Sequence, residues 1–267
     1  MRLAVTYTRF AGLDPPPGRE LERDMERDME RDGFPLPLRA RIQRFRQPAD
    51  RMARLAAYRL LRAALADSGL GADPLEALQW DPYGRPFVAS LPEVDFNLSH
   101  SGGLAVCAVA WGGRTGIDVE RIRGIARAGF QPYFPPSEWR RLESAADPLP
   151  AFFESWTRLE SVAKAEGFGL AGPLGAIEFT GEAARVNGRA WALLRIDTGP
   201  GYCCHAAAWP APEDVNVAEV AAAAEVPAVI EVRAVIEAAT AGKGTVRREY
   251  LTAHAAGEKQ EGISVHG

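Results

Sequence analysis

Cysteine and histidine are scarce, with three and four respectively in 267 residues. Cys107, Cys203 and Cys204 make no disulfide framework, adjacent cysteines rarely bridge, and the spacing matches no zinc site. They read as reduced, buried thiols of a cytoplasmic protein. Long apolar runs are missing as well. The start, MRLAVTYTRF, lacks the apolar segment of a secretion signal, and no run approaches the roughly 20 residues that cross a bilayer. Positive charge is not in excess: 31 Lys and Arg stand against 35 Asp and Glu, a net −4. That balance argues against nucleic acid as a partner. No Walker-type glycine loop or other nucleotide fingerprint occurs, which disfavours a Mg²⁺-dependent nucleotide hydrolase.

What is present suits a globular protein with a real core, 47% hydrophobic and 25% charged. Leu3 to Tyr7 reads as an opening strand. Next, LERDMERDMERDG (21 to 33) holds a tandem ERDM repeat, read as an exposed helical insertion or flexible excursion without chemistry. From Asp50, Leu55, Tyr58, Leu61 and Leu65 recur at helical spacing, with Gly69 as a stop. WDPYGRPFV turns at Asp81 to Arg85 into a short extended segment. A polar loop, Ser99 to Gly103, feeds an apolar strand, Leu104 to Trp111, and Gly112-Gly113 predicts a hairpin into GIDVE. The second half echoes this order. A helix over 149–166 precedes several strands, with Asn187-Gly188 as a tight turn. Three segments follow from this: an N-terminal half at 1–110, a C-terminal half at 111–212, and an alanine-rich, partly disordered tail at 213–267.

Asp118 and Glu120 stand two apart in GIDVE, so a strand points both to one face. Like charges side by side call for a cation between them. In SWTRLESVAKAEG, Trp156, Glu160 and Lys164 share a helix face at i, i+4, i+8. Glu160 and Lys164 alone would pass for a surface ion pair. A third acid facing Asp118 and Glu120, however, completes an all-oxygen set suited to Mg²⁺, which usually bridges carboxylates to substrate phosphates. Phosphate-binding candidates exist: Ser99, His100 and Ser101 beside glycines, Arg85 in an exposed turn, and Arg51 and Arg54 at the start of the first long helix.

The order of these elements resembles the 4′-phosphopantetheinyl transferases of the surfactin-synthetase-activating (Sfp) type. The motifs are Gly84-Arg85-Pro86, Phe96 to Gly103, Gly116 to Glu120, and W-T-x-x-E-x-x-x-K-x-x-G-x-G-L from Trp156 to Leu170, and the resemblance runs from about residue 35 to about 210. It implies an α+β pseudo-dimer of two similar halves, each a long helix on a small, mainly antiparallel sheet, with coenzyme A in the cleft between them. It implies Asp118, Glu120 and Glu160 as ligands of Mg²⁺ on the coenzyme A pyrophosphate, with Lys164 approaching the same group. His100 matches the histidine near the 3′-phosphate, Arg85 a basic residue serving the nucleotide, and Arg51 and Arg54 a basic phosphate-contacting stretch. The implied reaction moves the phosphopantetheine arm to a serine of an apo acyl or peptidyl carrier protein, with Glu160 as base and Lys164 as charge stabiliser. A monomer suffices, since two linked halves build one cleft. One departure stands out: many members carry a lysine where this chain has Leu159. It favours the rival reading, a degenerate homologue that binds coenzyme A or a carrier domain without transfer.

Overall fold

The computed structural model describes residues 1–10, 19–66, 68–70, 72–220, 234–236 and 246–248. The chain opens with β1 (Arg2–Arg9), then α1 (Arg19–Arg31), α2 (Leu36–Gln43) and α3 (Pro48–Ala64). Strands β2 (Leu78–Trp80), β3 (Pro86–Val88), β4 (Val94–Ser101), β5 (Leu104–Trp111) and β6 (Arg114–Arg121) come next. Helices α4 (Pro136–Glu143) and α5 (Pro148–Glu166) precede β7 (Glu178–Thr180), β8 (Ala183–Val186), β9 (Arg189–Arg195), β10 (Tyr202–Trp209) and β11 (Asp214–Glu219). A last ladder pairs β12 (Ala234–Ile236) with β13 (Val246–Arg248). The class is α+β, with mainly antiparallel sheets.

One sheet runs β11-β1-β5-β4, antiparallel except for the parallel β1–β11 pair. The other runs β6-β10-β9-β8-β7 and is antiparallel throughout. Their inner faces share one core, in which Leu3, Val5 and Val106 cluster with Ile117, Val119 and Ala206. The outer face of the first sheet carries α3, with Tyr58 and Leu61 among Phe96, Ala105 and Cys107. The outer face of the second carries α5, with Phe152 and Leu159 among Trp191, Leu193 and Cys203. This layering explains the unbroken apolar run of β5. A strand covered on both faces has no solvent side, so its sequence does not alternate.

Local signals place the two long helices. Pro48 and Pro148 sit in their first turns, where proline lacks only an N–H that would have no helical partner. Gly167, left-handed at φ 90°, ends α5. Each long helix follows a shorter one led by Phe-Pro. Phe34-Pro35, Ile42 and Pro48 recur one hundred positions later as Phe134-Pro135, Leu142 and Pro148.

Four segments differ from the sequence reading. The ERDM repeat is helix α1 and is not simply solvated. Its four-residue spacing puts Met25 and Met29 on one buried face, while Asp28 and Asp32 pair with Arg59 of α3. Ser99 to Ser101 belong to β4, and only Gly102-Gly103 form the turn. The predicted hairpin of β5 with β6 does not form: β5 already has β1 and β4 on its two edges, and β6 pairs with β10. Residues 214–219, set aside as the start of a tail, complete the first sheet beside β1, with Val215 and Ala218 buried. The rest of the proposed tail, apart from its first residues up to 220 and from β12 and β13, lies outside the described residues.

Truncation after Pro212 therefore removes a whole paired strand. Loss of the buried Val215 and of the β1 ladder should cost about 2–4 kcal/mol. Denaturant melts of the truncated and full-length chains check this. Equal midpoints would show that β11 contributes nothing.

Candidate active site

Where β4 and β6 run side by side, the edges of the two sheets meet without a backbone ladder. Side chains of β4 take the place of carbonyls. Asp95 Oδ2 accepts the Thr115 N–H at 2.8 Å, Asn97 Oδ1 that of Ile117 at 3.0 Å, Ser99 Oγ that of Val119 at 3.3 Å, and Ser101 Oγ that of Arg121 at 3.1 Å. The period of two on both strands keeps this seam in register. Its outer surface is the floor of a cleft of about 270 Å³, and α3 and α5 are the walls. The cleft is lined by Arg54, Ala57 and Tyr58 of α3, Leu98, Ser99 and His100 of β4, Asp118 and Glu120 of β6, and Glu160 and Lys164 of α5.

Close approach of α5 to β6 depends on Gly116. A Cβ there would overlap the Ser161 carbonyl oxygen and the backbone of Ala165. The helix thus sets its acid and its lysine against Asp118. Lys164 Nζ donates to Asp118 Oδ1 at 2.5 Å, Ser99 Oγ at 3.0 Å and the Ile117 carbonyl at 3.2 Å, with Glu160 Oε2 at 3.6 Å. The seam serines also hold the two strand acids. Ser99 Oγ donates to Asp118 Oδ1 at 2.9 Å, and Ser101 Oγ to Glu120 Oε2 at 2.7 Å.

Three carboxylates face one ammonium in a half-buried space. Burial, with Asp118 nearby, raises the pKa of Glu160 to about 8. Burial also raises Glu120. Burial pulls Lys164 down, but Asp118 and Glu160 more than offset it, and its pKa lies above the usual value. Among the described residues, Asp118 Oδ2 is a buried acceptor with no partner. On the opposite wall the Arg54 guanidinium lies 3.6 Å over the Phe45 ring, and its buried Nε–H has no acceptor among the described residues. Burial, then Arg54, lowers His100 to about 4, so its imidazole is neutral near pH 7.

Most of the expected site residues converge. Arg54, Ser99, His100, Asp118, Glu120, Glu160 and Lys164 share the cleft. Arg51 does not. It lines a separate cavity of about 210 Å³ with Met25, Glu26, Met29 and Gln43. Arg85, expected exposed in its turn, is only 12% exposed at the side chain and is paired with Asp95. The Asp81 carboxylate, which takes the Tyr83 and Arg85 N–H groups at 2.9 Å, folds the turn so that the guanidinium points inward. Ser99, expected in an anion cradle, turns its hydroxyl to Asp118 and Lys164. Leu159 is fully buried in the α5 core, away from the cleft. A lysine contact from that position is therefore not part of this geometry. Trp156 likewise belongs to an aromatic cluster with Phe130, Phe134 and Phe152. Tyr58 was read only as part of an apolar stripe, yet it lines the cleft.

Hard oxygen donors, surplus negative charge and the orphaned Asp118 Oδ2 fit a divalent cation of the Mg²⁺ kind. Among the described residues, however, no three His, Cys, Asp or Glu side chains converge closely enough to hold a metal. Lys164 stands between Asp118 and Glu160 instead. No helix among the described residues is long and apolar enough to cross a membrane.

A cleft with acids and a lysine on one wall and an arginine on the other suits a ligand bearing several phosphates. Comparison with known proteins gives the family. The family model for the 4′-phosphopantetheinyl transferase superfamily matches residues 114–218, from β6 through most of β11. A 4′-phosphopantetheinyl transferase of Bacillus subtilis is 32% identical over 139 residues, 51% of this chain and 61% of that relative. The transferase HetI of a Nostoc species is 33% identical over 169 residues, 59% of this chain and 70% of HetI. The transferase psf-1 of Bacillus pumilus is 32% identical over 169 residues, 62% of this chain and 69% of psf-1. The crystal structure of Thermotoga maritima holo-[acyl-carrier-protein] synthase aligns over 36% of this chain and 61% of its own, at 16% identity and a TM-score of 0.28. The chain belongs to the 4′-phosphopantetheinyl transferase superfamily. It spans about three fifths of the Bacillus subtilis relative.

The unusual charge balance has a consequence for stability. A Glu160 raised from 4.5 to about 8 keeps a proton in the folded state that the unfolded chain releases. Stability on this account falls as pH rises between those values. Buried His100 and His205, lowered from 6.5 to about 4 and about 3, act oppositely, so their contribution is lost as pH falls below 6.5. Above about pH 7.5 the histidines are neutral in both states and Glu160 alone still titrates. There the divalent-free protein should lose about 1 kcal/mol per pH unit, and Glu160→Gln should flatten the slope. Denaturant titrations in chelator at several pH values measure it. A flat parent profile would show that Glu160 is not raised.

Proposed function

We propose that the protein transfers the 4′-phosphopantetheine arm of coenzyme A to a serine hydroxyl of an apo acyl or peptidyl carrier protein, releasing adenosine 3′,5′-bisphosphate. The observation that carries this reading is the convergence of Asp118, Glu120, Glu160 and Lys164 in one cleft with His100 and Arg54, in a chain of this family. The two halves are read as a pseudo-dimer, supported by the Phe-Pro helix pairs one hundred positions apart. One chain contains the whole cleft, so the monomer is the proposed working unit, acting in the cytoplasm.

In this reaction the serine oxygen attacks the β-phosphorus. The bond to the oxygen bridging to the 5′-phosphate of the nucleotide breaks, and the serine proton must leave. Glu160 accepts that proton in its ionised form, which a cation beside it favours, and α5 holds it at the cleft wall. Lys164 faces the same space and offsets charge growing on the departing phosphate. Arg54, with a buried donor lacking an acceptor, and His100, which gains a proton more readily beside an anion, hold the 3′-phosphate end. Asp118, Glu120 and Glu160 are the acids that would have to draw together to hold Mg²⁺, which would supply charge neutralisation at the pyrophosphate. The rival reading, a binder without transfer, rested on Leu159, and that side chain lies in the core.

The direct test incubates the protein with coenzyme A, Mg²⁺ and an apo carrier domain. A carrier mass increased by one phosphopantetheine is expected, and an unmodified carrier would favour the non-catalytic reading. Glu160→Gln then separates base from ligand. At saturating Mg²⁺ and coenzyme A it should retain a deficit in kcat on the order of 10²–10⁴-fold. Glu120→Gln should recover more fully with added metal. Equal recovery of the two variants would place the base elsewhere.

A further inference from the structure

Arg85 lies outside the cleft, yet its guanidinium joins the elements beneath it. Nη2 donates to both Asp95 oxygens at 2.8 Å, to the Thr115 carbonyl at 2.8 Å and to the Phe96 carbonyl at 3.2 Å. Nη1 donates to the carbonyl of Lys164 at 2.5 Å. That carbonyl belongs to the last turn of α5, where carbonyls lack helical partners and the helix dipole favours a cation. The preceding one, of Ala163, is taken by the Gly167 N–H at 3.0 Å. Asp95, the partner of Arg85, is also the first rung of the seam through its bond to the Thr115 N–H. Lys164 is therefore held at both ends. Arg85 fixes its backbone, and Asp118, Ser99 and the Ile117 carbonyl fix its ammonium.

We infer that Arg85 and Asp95 form a positioning clamp that sets the last turn of α5, and with it Lys164 and Glu160, against Asp118 of β6, and that Arg85 does not bind the nucleotide. The inference rests on the proposed transfer reaction for its kinetic consequence, though not for its geometry. Lysine cannot replace the clamp fully. The guanidinium reaches the carboxylate and three carbonyls through a rigid fork of donors, whereas an ammonium has three donors at a point. A shift of about 1 Å in a positioned group costs on the order of a hundredfold in rate.

The test compares Arg85→Gln, Arg85→Lys, Asp95→Asn and the Arg85→Gln/Asp95→Asn double variant. For a clamp, kcat falls about ten- to a hundredfold in Arg85→Gln and in Asp95→Asn, with KM for coenzyme A within about twofold. The double variant is then no worse than either single, and Arg85→Lys recovers part of the rate. The preference for coenzyme A over 3′-dephospho-coenzyme A is unchanged in all of them. If Arg85 instead contacts the nucleotide, Arg85→Gln raises KM, erodes that preference and leaves saturated kcat intact, while Asp95→Asn has little effect. That pattern overturns the inference. Amide hydrogen exchange gives a readout without turnover. Arg85→Gln should speed exchange at Ala165 to Gly167 while the first turns of α5 keep their protection. Uniform loosening of the whole helix, or no change at its end, overturns the clamp. If the parent transfers nothing, the proposed reaction falls and the exchange result alone decides the clamp.

Discussion

Side chains spaced two apart on β4 stand where a neighbouring strand would offer backbone carbonyls to β6. This seam is the joint on which the rest of the molecule depends. Ordinary pairing would bring the two backbones to about 4.8 Å and fuse the sheets into one. Interposed side chains satisfy the same N–H groups at a wider separation. Both strands remain edges, the two sheets can stack face to face, and α3 and α5 come to flank one floor. Satisfying those N–H groups is not optional, because a buried amide without a partner costs about 1–3 kcal/mol. Stability and the existence of the cleft are therefore secured by the same residues. Ser99 and Ser101 show the economy of it, each accepting from a β6 amide and donating to the β6 carboxylate one position earlier.

The cleft itself works against the fold. Asp118, Glu120 and Glu160 oppose one another, and Lys164 offsets only part of their charge. A protein selected for stability alone would place apolar groups here, since replacing buried ion pairs by well-packed hydrophobics is often neutral or favourable. Electrostatic tension of this kind concentrates where a ligand relieves it. The cleft is held open from outside instead. Gly116 lets α5 approach, and the Arg85–Asp95 pair fastens its end.

The acids and the lysine of the cleft were legible in the sequence because their spacing is periodic. Two residues apart on a strand and four apart on a helix each define one face, and the facing of the two elements followed from the motif order. What periodicity does not carry is the identity of neighbours. Gly112-Gly113 does reverse the chain, but a turn signal cannot tell whether the next strand pairs with the last or joins another sheet. The serines around His100 looked like a loop because polar residues beside glycine usually are one. Here they are polar because a seam needs hydroxyls. Arg85 misled for a related reason. Turns are usually exposed, so its guanidinium was read as free. Its partner Asp95 lies ten residues further along the chain, on β4. That pairing is set by where β4 lies in its sheet, which the turn sequence does not encode.

The two long helices, compared at the one-hundred-residue offset, build unlike walls. At that offset, Leu60 of α3 corresponds to Glu160 of α5, and Ala64 to Lys164. Leu60 is buried in the core under α3, whereas Glu160 and Lys164 face the cleft. Arg54 of α3 corresponds to Glu154, and of these two it is Arg54 that lines the cleft. Two acidic walls would repel a phosphate-bearing ligand, and two apolar walls would leave its charges without partners. Division of charge between the two helices avoids both outcomes. One wall carries a guanidinium, and Glu160 and Lys164 on the other stand beside Asp118 and Glu120 of the floor. In the proposed reaction the asymmetry would also orient an elongated ligand, because a phosphate drawn to Arg54 and one drawn to Lys164 would lie toward opposite walls.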